Sequence, residues 1–203
     1  MAGVEAILFD VGGVLLTNGW DLRDRTAVLE HFELDQDEFE ARHKEVYTQW
    51  DTGQITVDQY LEATVFHTPR SFRSEAFFLA ICERSQLLEC GAIGILEEVA
   101  ASNKYLLGSL NNEPRETNEY RFQRFQLGRF LRLRLTSSYL GLRKPDPAVY
   151  HRALDILGIP ADRVLLIDDR QENVDTAAFV GLQTMLYENA AQLRRELTGV
   201  GIL

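Results

Sequence analysis

The sequence predicts an α/β fold: a parallel sheet flanked by helices, with a small all-helical segment inserted after the first strand. Three observations predict it. The apolar run Ala6-Ile7-Leu8-Phe9 has the length of a buried strand and stops at Asp10, and Gly12 and Gly13 mark a turn before apolar residues resume at Val14. From Gly91 onward, short apolar runs alternate with stretches of helical spacing, the pattern of strands joined by crossover helices. Between about residues 20 and 85 strand-like runs disappear, and aromatic and charged residues interleave at helical spacing.

The first helical stretches run from Asp21 to Phe32, with Leu22, Ala27, Val28 and Leu29 among its apolar positions, and from Asp35 to Trp50. Thr56-Val57-Asp58-Gln59 resembles a capping arrangement that opens a third helix, closed by Pro69, and Ser71 to Ser85 supplies a fourth. Trp20, Tyr47, Trp50 and Tyr60 are expected to pack within this bundle, as aromatic residues on helices usually do. Tyr47 and Trp50, three residues apart, share one side of their helix. Ile93 to Ala101 then fits a helix and Lys104 to Leu110 a buried strand, which ends at the polar residues Asn111, Asn112 and Glu113. Glu119 to Phe125 suits a short helix, and Arg132 to Ser138 a strand leading into a rigid turn whose second proline, Pro147, starts a helix over Ala148 to Leu157. Val164 to Ile167 is a strand ending at Asp168 and Asp169, a helix follows from about Asn173, and Gln183 to Tyr187 is the last strand. On this reading residues 1–18 and 86–203 form the α/β core and residues 19–85 a helical unit.

Composition narrows the function. The 203 residues can bury a substantial interior, and 45% hydrophobic with 26% charged residues is ordinary for a globular chain. A net charge of −10 opposes nucleic-acid binding by bulk electrostatics, so an anionic small molecule would need local positive charge or a metal ion. The chain lacks a basic leader with a long apolar stretch, and no run approaches the roughly eighteen apolar residues of a membrane span, so a cytoplasmic protein without a membrane partner is expected. Cys82 and Cys90 are spaced for neither a Cys-x-x-Cys pair nor a disulfide framework and are expected to be packing residues. His31, His43, His67 and His151 are scattered, which argues against zinc.

A parallel sheet brings the carboxyl ends of its strands to one rim, where ligands bind. Asp10, Asn111 with Asn112, and Asp168 with Asp169 each follow a predicted strand, and Lys144 follows another. Any one of these acids in isolation reads better as a surface carboxylate, and Lys144 alone as a lysine on a solvated loop. Their joint placement favours a hard divalent cation such as Mg²⁺ held by carboxylate oxygens, with Lys144 offsetting the charge of a bound anion.

These residues carry a resemblance to the haloacid dehalogenase-like (HAD-like) hydrolases. Phe9-Asp10-Val11-Gly12-Gly13-Val14-Leu15 resembles the family's first motif, with Asp10 in the nucleophile's place. The second motif, usually a Ser or Thr, falls on Leu110-Asn111-Asn112 and puts Asn111 in place of the hydroxyl, with Ser109 a weaker substitute. Gly141-Leu142-Arg143-Lys144-Pro145-Asp146 is similar to the third, and Leu165-Leu166-Ile167-Asp168-Asp169 to the fourth. The resemblance implies a Rossmann-like core with a helical cap after strand one. It implies a phosphatase that uses Mg²⁺ to act on a small phosphorylated metabolite of the sugar phosphate class, through an aspartyl-phosphate on Asp10. The metal would be held by Asp10, the Gly12 carbonyl and Asp169, with Asp168 beside it. Lys144 and the Asn111 amide would hold the phosphoryl group, next to Gly12, Gly13 and Asn112. Typical phosphatases of the family carry a second Asp, the general acid and base, two residues after the nucleophile; this chain has Gly12 there and is most similar to a sugar 1-phosphate phosphatase-like subset with an Asp-x-Gly motif. Two other readings stand beside this one. Carbon–halogen hydrolysis through an aspartyl ester is opposed by the acidic fourth motif, and a phosphate-sensing or protein-binding relative would have lost turnover with the second Asp.

Overall fold

All four side chains of Ala6–Phe9 are fully buried, as an apolar run without alternation requires when both faces of a sheet are covered. This strand, β1, is the middle of a five-stranded parallel sheet of order β3-β2-β1-β4-β5, with β2 at Leu106–Asn111, β3 at Leu133–Thr136, β4 at Val164–Asp168 and β5 at Gln183–Leu186. The computed structural model describes residues 3–89 and 91–203. Ile7 and Phe9 face one core layer with Leu96, Val99, Leu165, Ile167, Leu193 and Leu197. Ala6 and Leu8 face the other with Leu135, Val149, Tyr150, Leu166 and Ala177. The first layer is closed by helices α5 (Ile93–Ala101) and α10 (Ala190–Gly199), the second by α8 (Pro147–Leu157) and α9 (Gln171–Val180). The chain is thus an α/β protein with a Rossmann-like sheet.

The register builds the rim. Phe9 pairs with Ser109 on one side and with Ile167 on the other, so Asp10 emerges level with Asp168. The strand order reverses beside β1, which makes its carboxyl end the switch point where open α/β sheets bind ligands.

Between β1 and β2 lie α1 (Leu22–His31), α2 (Gln36–Asp51), α3 (Val57–Thr64) and α4 (Ser74–Glu83). Asp21 and Asp35 cap the first two, and Thr56 with Gln59 forms the capping box the sequence suggested. The insertion has its own core of Trp20, Leu29, Phe39, Trp50, Tyr60, Phe77 and Ile81. Trp50 stacks on Tyr60 at 4.1 Å between centroids, and the Tyr60 hydroxyl accepts from Trp20 Nε1 at 3.1 Å, so these aromatics do pack as a bundle.

Several boundaries move. The expected helix at Glu119 starts instead at Arg115 (α6, Arg115–Arg124), because Pro114 stands at its N-cap and Glu116 lies in its first turn. α3 ends at Thr64, well before Pro69. β3 stops at Thr136 and turns into a short helix, α7 (Ser137–Leu140), while β2 runs on to include Asn111 and β4 to include Asp168. α10 lies beyond the last strand that periodicity revealed, capped by the Asn189 side chain. Cys82 is buried in α4, whereas Cys90 lies outside the described residues. Among the described residues, no helix is long and apolar enough to cross a membrane.

The insertion touches the sheet side through polar contacts. Glu116 of α6 accepts from Trp50 Nε1 at 3.1 Å and from the Val57 amide at 3.2 Å. Ser137 Oγ donates to the Asp51 carbonyl at 2.6 Å, and Arg143 Nε lies 3.3 Å from Asp51 Oδ2. Gly53, at φ +71°, sits where any Cβ would strike the Ser138 carbonyl, which fixes glycine there.

Burial raises the pKa of Asp51 to about 6 despite Arg143, with Glu113 adding to the rise and the Ser137 hydrogen bond opposing it. A carboxyl with a raised folded-state pKa loses native stability as pH climbs from about 4 to about 6, because the unfolded chain releases its proton first. Asp51→Asn is therefore expected to flatten the pH dependence of stability over that window by up to about 3 kcal/mol, read from denaturant midpoints at pH 4, 5, 6 and 7. An identical slope in both proteins would refute it.

Candidate active site

Asp10 is the first residue beyond β1, and the Val11 amide donates to its Oδ1 at 2.7 Å, which fixes the carboxylate as it leaves the sheet. Lys144, fully buried in the turn before α8, reaches across to it. Its Nζ lies 3.1 Å from Asp10 Oδ2 and 2.5 Å from Asp168 Oδ2. Burial opposes the lysine's charge, but Asp10 and Asp168 outweigh it and its pKa is raised. Asp10 itself is pushed up to about 7, by burial first and then by Asp168 and Asp169, with Lys144 pulling the other way. Burial and Asp168 likewise raise Asp169.

The two acids at the end of β4 do different work. Asp168 Oδ1 accepts from the Arg170 amide at 3.0 Å and from Asn173 Nδ2 at 2.9 Å, while Oδ2 holds Lys144, so protein donors occupy both oxygens. Asp169 is only partly buried and faces a cleft of about 90 Å³ lined by Asp10, Gly12, Asn111, Asn112, Lys144 and Arg121. Oxygens of Asp10, Asp168 and Asp169 all lie within 4.8 Å of one another. Three carboxylates this close fit a hard divalent cation, which would offset both the burial and the mutual repulsion that raise Asp10. The Asp169 carboxylate also presses on Gly13, which adopts φ +78°; a Cβ at position 13 would stand 2.6 Å from Asp169 Cγ.

The asparagines depart from expectation. Asn111, read from the sequence as a grip on the phosphoryl oxygens, donates its amide to Glu113 Oε2 at 2.9 Å and accepts from Thr136 Oγ1 at 3.3 Å. Asn112 is tied to Lys144 instead, accepting from its amide and donating to its carbonyl, both at 2.8 Å. The side-chain amides of both residues therefore face protein partners, and Lys144 is the expected phosphate-binding side chain whose charge faces the cleft. The physical reason is Glu113, buried two residues on, which takes amides from Asn111 and Asn118 on Oε2 and lies 3.0 Å from Arg121 Nε through Oε1. Ser109, the weaker substitute, is fully buried in β2 below the rim.

Sequence reading missed Arg121. It stands on α6 with Thr117, Asn118 and Phe122 on the buried face. A polar residue repeating at core-facing positions of a helix was the available signal. Beyond the cleft lies a narrower space of about 30 Å³ walled by Trp20, Tyr47, Trp50, Pro114 and Arg121, room for about one water molecule.

The fold thus gathers a strand-end acid at a switch point, a buried lysine and a second pair of acids at one rim. Residues 4–181 match the model of the haloacid dehalogenase-like hydrolases, and the chain belongs to that family. Flavin mononucleotide hydrolase 1, chloroplatic, of Arabidopsis thaliana is 28% identical over 163 residues, covering 80% of this chain and 65% of its own length. The HAD family enzyme bt-2542 of Bacteroides thetaiotaomicron shares the fold at a TM-score of 0.80 and 18% identity, over 95% of this chain and 99% of that one. Another structure of it, in complex with magnesium and inorganic phosphate, aligns at a TM-score of 0.74 and 18% identity, over 92% and 96% of the two chains.

Gly13→Ala is expected to cost about 1–3 kcal/mol, since alanine resists the positive φ and its methyl displaces Asp169. Thermal melts with and without Mg²⁺ check this: the variant should melt lower and gain less from the metal. Wild-type melting and an unchanged metal effect would contradict the geometry.

Proposed function

We propose that this chain is a phosphatase that depends on Mg²⁺, acts on a small phosphorylated metabolite of the sugar phosphate class and passes through an aspartyl-phosphate on Asp10. Residues 1–18 and 86–203 form the catalytic core, and residues 19–85 act as a cap over it. The observation that carries the reading is the Lys144 ammonium shared between Asp10 Oδ2 and Asp168 Oδ2 at the end of the central strand.

Asp10 and Asp169, with the Gly12 carbonyl, would hold the ion, and Asp168 would support it through Lys144 and Asn173. A bound Mg²⁺ would screen the phosphoryl charge from the attacking carboxylate and stabilise charge in the transition state. Lys144, fixed by its two carboxylates and by Asn112 on its backbone, is set to hold a phosphoryl oxygen. In the first step an Asp10 oxygen bonds to phosphorus as the bond to the leaving oxygen breaks, and in the second, water releases phosphate and regenerates the carboxylate. No carboxyl stands at position 12 to give or take a proton. Because such assistance is typically worth about 10²–10⁴-fold, substrates whose leaving oxygen tolerates negative charge are favoured, and an anomeric or aryl oxygen does so better than a simple alkoxide. The small space beyond the cleft supports a cap that must shift to admit a sugar. The flavin mononucleotide hydrolase is a relative named for another phosphate ester, which supports the phosphatase reading over the dehalogenase one.

The test is phosphate release from 4-nitrophenyl phosphate and from sugar 1-phosphates, with Mg²⁺ and with chelator, beside halide release from a haloacid. Asp10→Asn is expected to fold and to lose more than about 10³-fold in kcat. Near-wild-type hydrolysis would remove Asp10 from the mechanism. Asp169→Asn is expected to raise the Mg²⁺ concentration needed for half-activation at least tenfold. Asp168→Asn should instead lower the melting temperature, because its single amide oxygen cannot serve both Lys144 and Asn173. An unmoved activation curve for Asp169→Asn would transfer the ligand role to Asp168.

A further inference from the structure

Gly12 leaves a gap where related enzymes carry an acid, and the structure has a cation beside it. Arg121 Nη1 stands 3.8 Å from the place a Cβ at position 12 would occupy, on a site where Asn18 Oδ1 is the nearer neighbour at 3.0 Å. The guanidinium is locked on its other edges. Nε donates to Ser85 Oγ at 2.9 Å and lies 3.0 Å from Glu113 Oε1, and Nη2 donates to the carbonyls of Thr17, at 2.9 Å, and Asn18. Among the described residues no protein acceptor takes Nη1, and Arg121 lines the cleft with Asp10, Gly12 and Lys144. Gly12 is not at positive φ, so backbone conformation does not demand glycine there.

We propose that Arg121 is a catalytic residue that holds the leaving oxygen of the substrate through Nη1, stabilising by charge the oxyanion that no acid protonates. The inference rests on the phosphatase reading. As the bond between phosphorus and the leaving oxygen breaks, the electron pair stays on that oxygen, and Nη1–H hydrogen-bonds to it. The proton that finally neutralises it comes from water. A guanidinium suits this work and cannot be a general acid, because it stays protonated at any pH an enzyme meets. A donor held rigid before the reaction needs no reorganisation during it, and loss of one such donor typically costs about 10²–10³-fold. Glu113 and the linker carbonyls supply the rigidity. The same bonds pin both chain crossings into the helical insertion, at Thr17–Asn18 and at Ser85, so the group that meets the leaving oxygen also holds the cap's root.

The experiment is a series of substituted phenyl phosphates spanning leaving-group acidity, from 2,4-dinitrophenyl to unsubstituted phenyl, with kcat/KM measured under Mg²⁺ for the wild type and for Arg121→Ala. The expected loss is small for dinitrophenyl phosphate and grows to about 10²-fold for phenyl phosphate, so the plot against leaving-group pKa steepens. Ethylguanidinium in solution is expected to restore rate mainly at the phenyl end. A loss equal across the series, with no selective rescue, would mean that Arg121 only braces the fold and would overturn the inference. Where Arg121→Ala does not fold, Arg121→Gln, which keeps a neutral N–H donor, is expected to steepen the same plot, and an unchanged slope there overturns the inference equally. Failure of the wild type to release phosphate from any member would refute the phosphatase reading and this inference with it. An unchanged slope in an active, folded variant refutes this inference alone.

Discussion

The site depends on one buried ammonium. Lys144 Nζ sits buried between Asp10 and Asp168 at the edge of the cleft, and each of the three would be costly to bury without a partner. Removing the lysine from such a set typically costs about 3–5 kcal/mol, because it leaves both carboxylates buried and without their cation. The arrangement is held by backbone: β1 delivers Asp10, β4 delivers Asp168 at the same level, and Asn112 grips the Lys144 main chain from the end of β2. Three neighbouring strands are thereby committed to one charge. Their common charge is still negative, and the raised pKa of Asp10 expresses its burial first and the neighbouring aspartates second.

A second buried network lies behind the first. Glu113 gathers Asn111, Asn118 and Arg121, and its own amide is taken by Ser137 Oγ, which also donates to the Asp51 carbonyl. This chain of bonds runs from the end of β2 through α6 and α7 to the last turn of α2. Polar groups buried to this degree are tolerated only when each finds partners, and satisfied networks of this kind rigidify what they join. Here they join the root and the tip of the helical insertion to the sheet. Directional bonds of this kind can be exchanged for water when the segments they join move apart.

The empty position 12 ties the two networks together. Where a Cβ at position 12 would stand, this chain presents the Asn18 side-chain oxygen and, beyond it, one edge of the Arg121 guanidinium from α6. A guanidinium, which stays protonated, cannot transfer a proton, so on the proposed mechanism a substrate would have to leave well on its own. That connects a single glycine in the first motif to the class of ester the site can use.

The sequence by itself determined the layer architecture and the succession of strands along the chain, because a parallel sheet buried on both faces demands uninterrupted apolar runs such as Ala6–Phe9 and Val164–Ile167. It also determined that Asp10, Lys144, Asp168 and Asp169 converge, since strand ends share a rim wherever strands run parallel. Helix ends carrying a side-chain cap, such as Thr56 with Gln59, were legible for the same local reason. What the tertiary structure alone decided is where side chains spend their hydrogen bonds. Asn111 sits at the strand end where the pattern placed it, yet Glu113 turns its amide inward; Asn112 clamps a backbone 32 residues away; and Arg121, in a helix with no motif, reaches Gly12 across the fold. Periodicity reports which way a residue faces relative to its own element, and it carries no information about which polar partner waits on the other side.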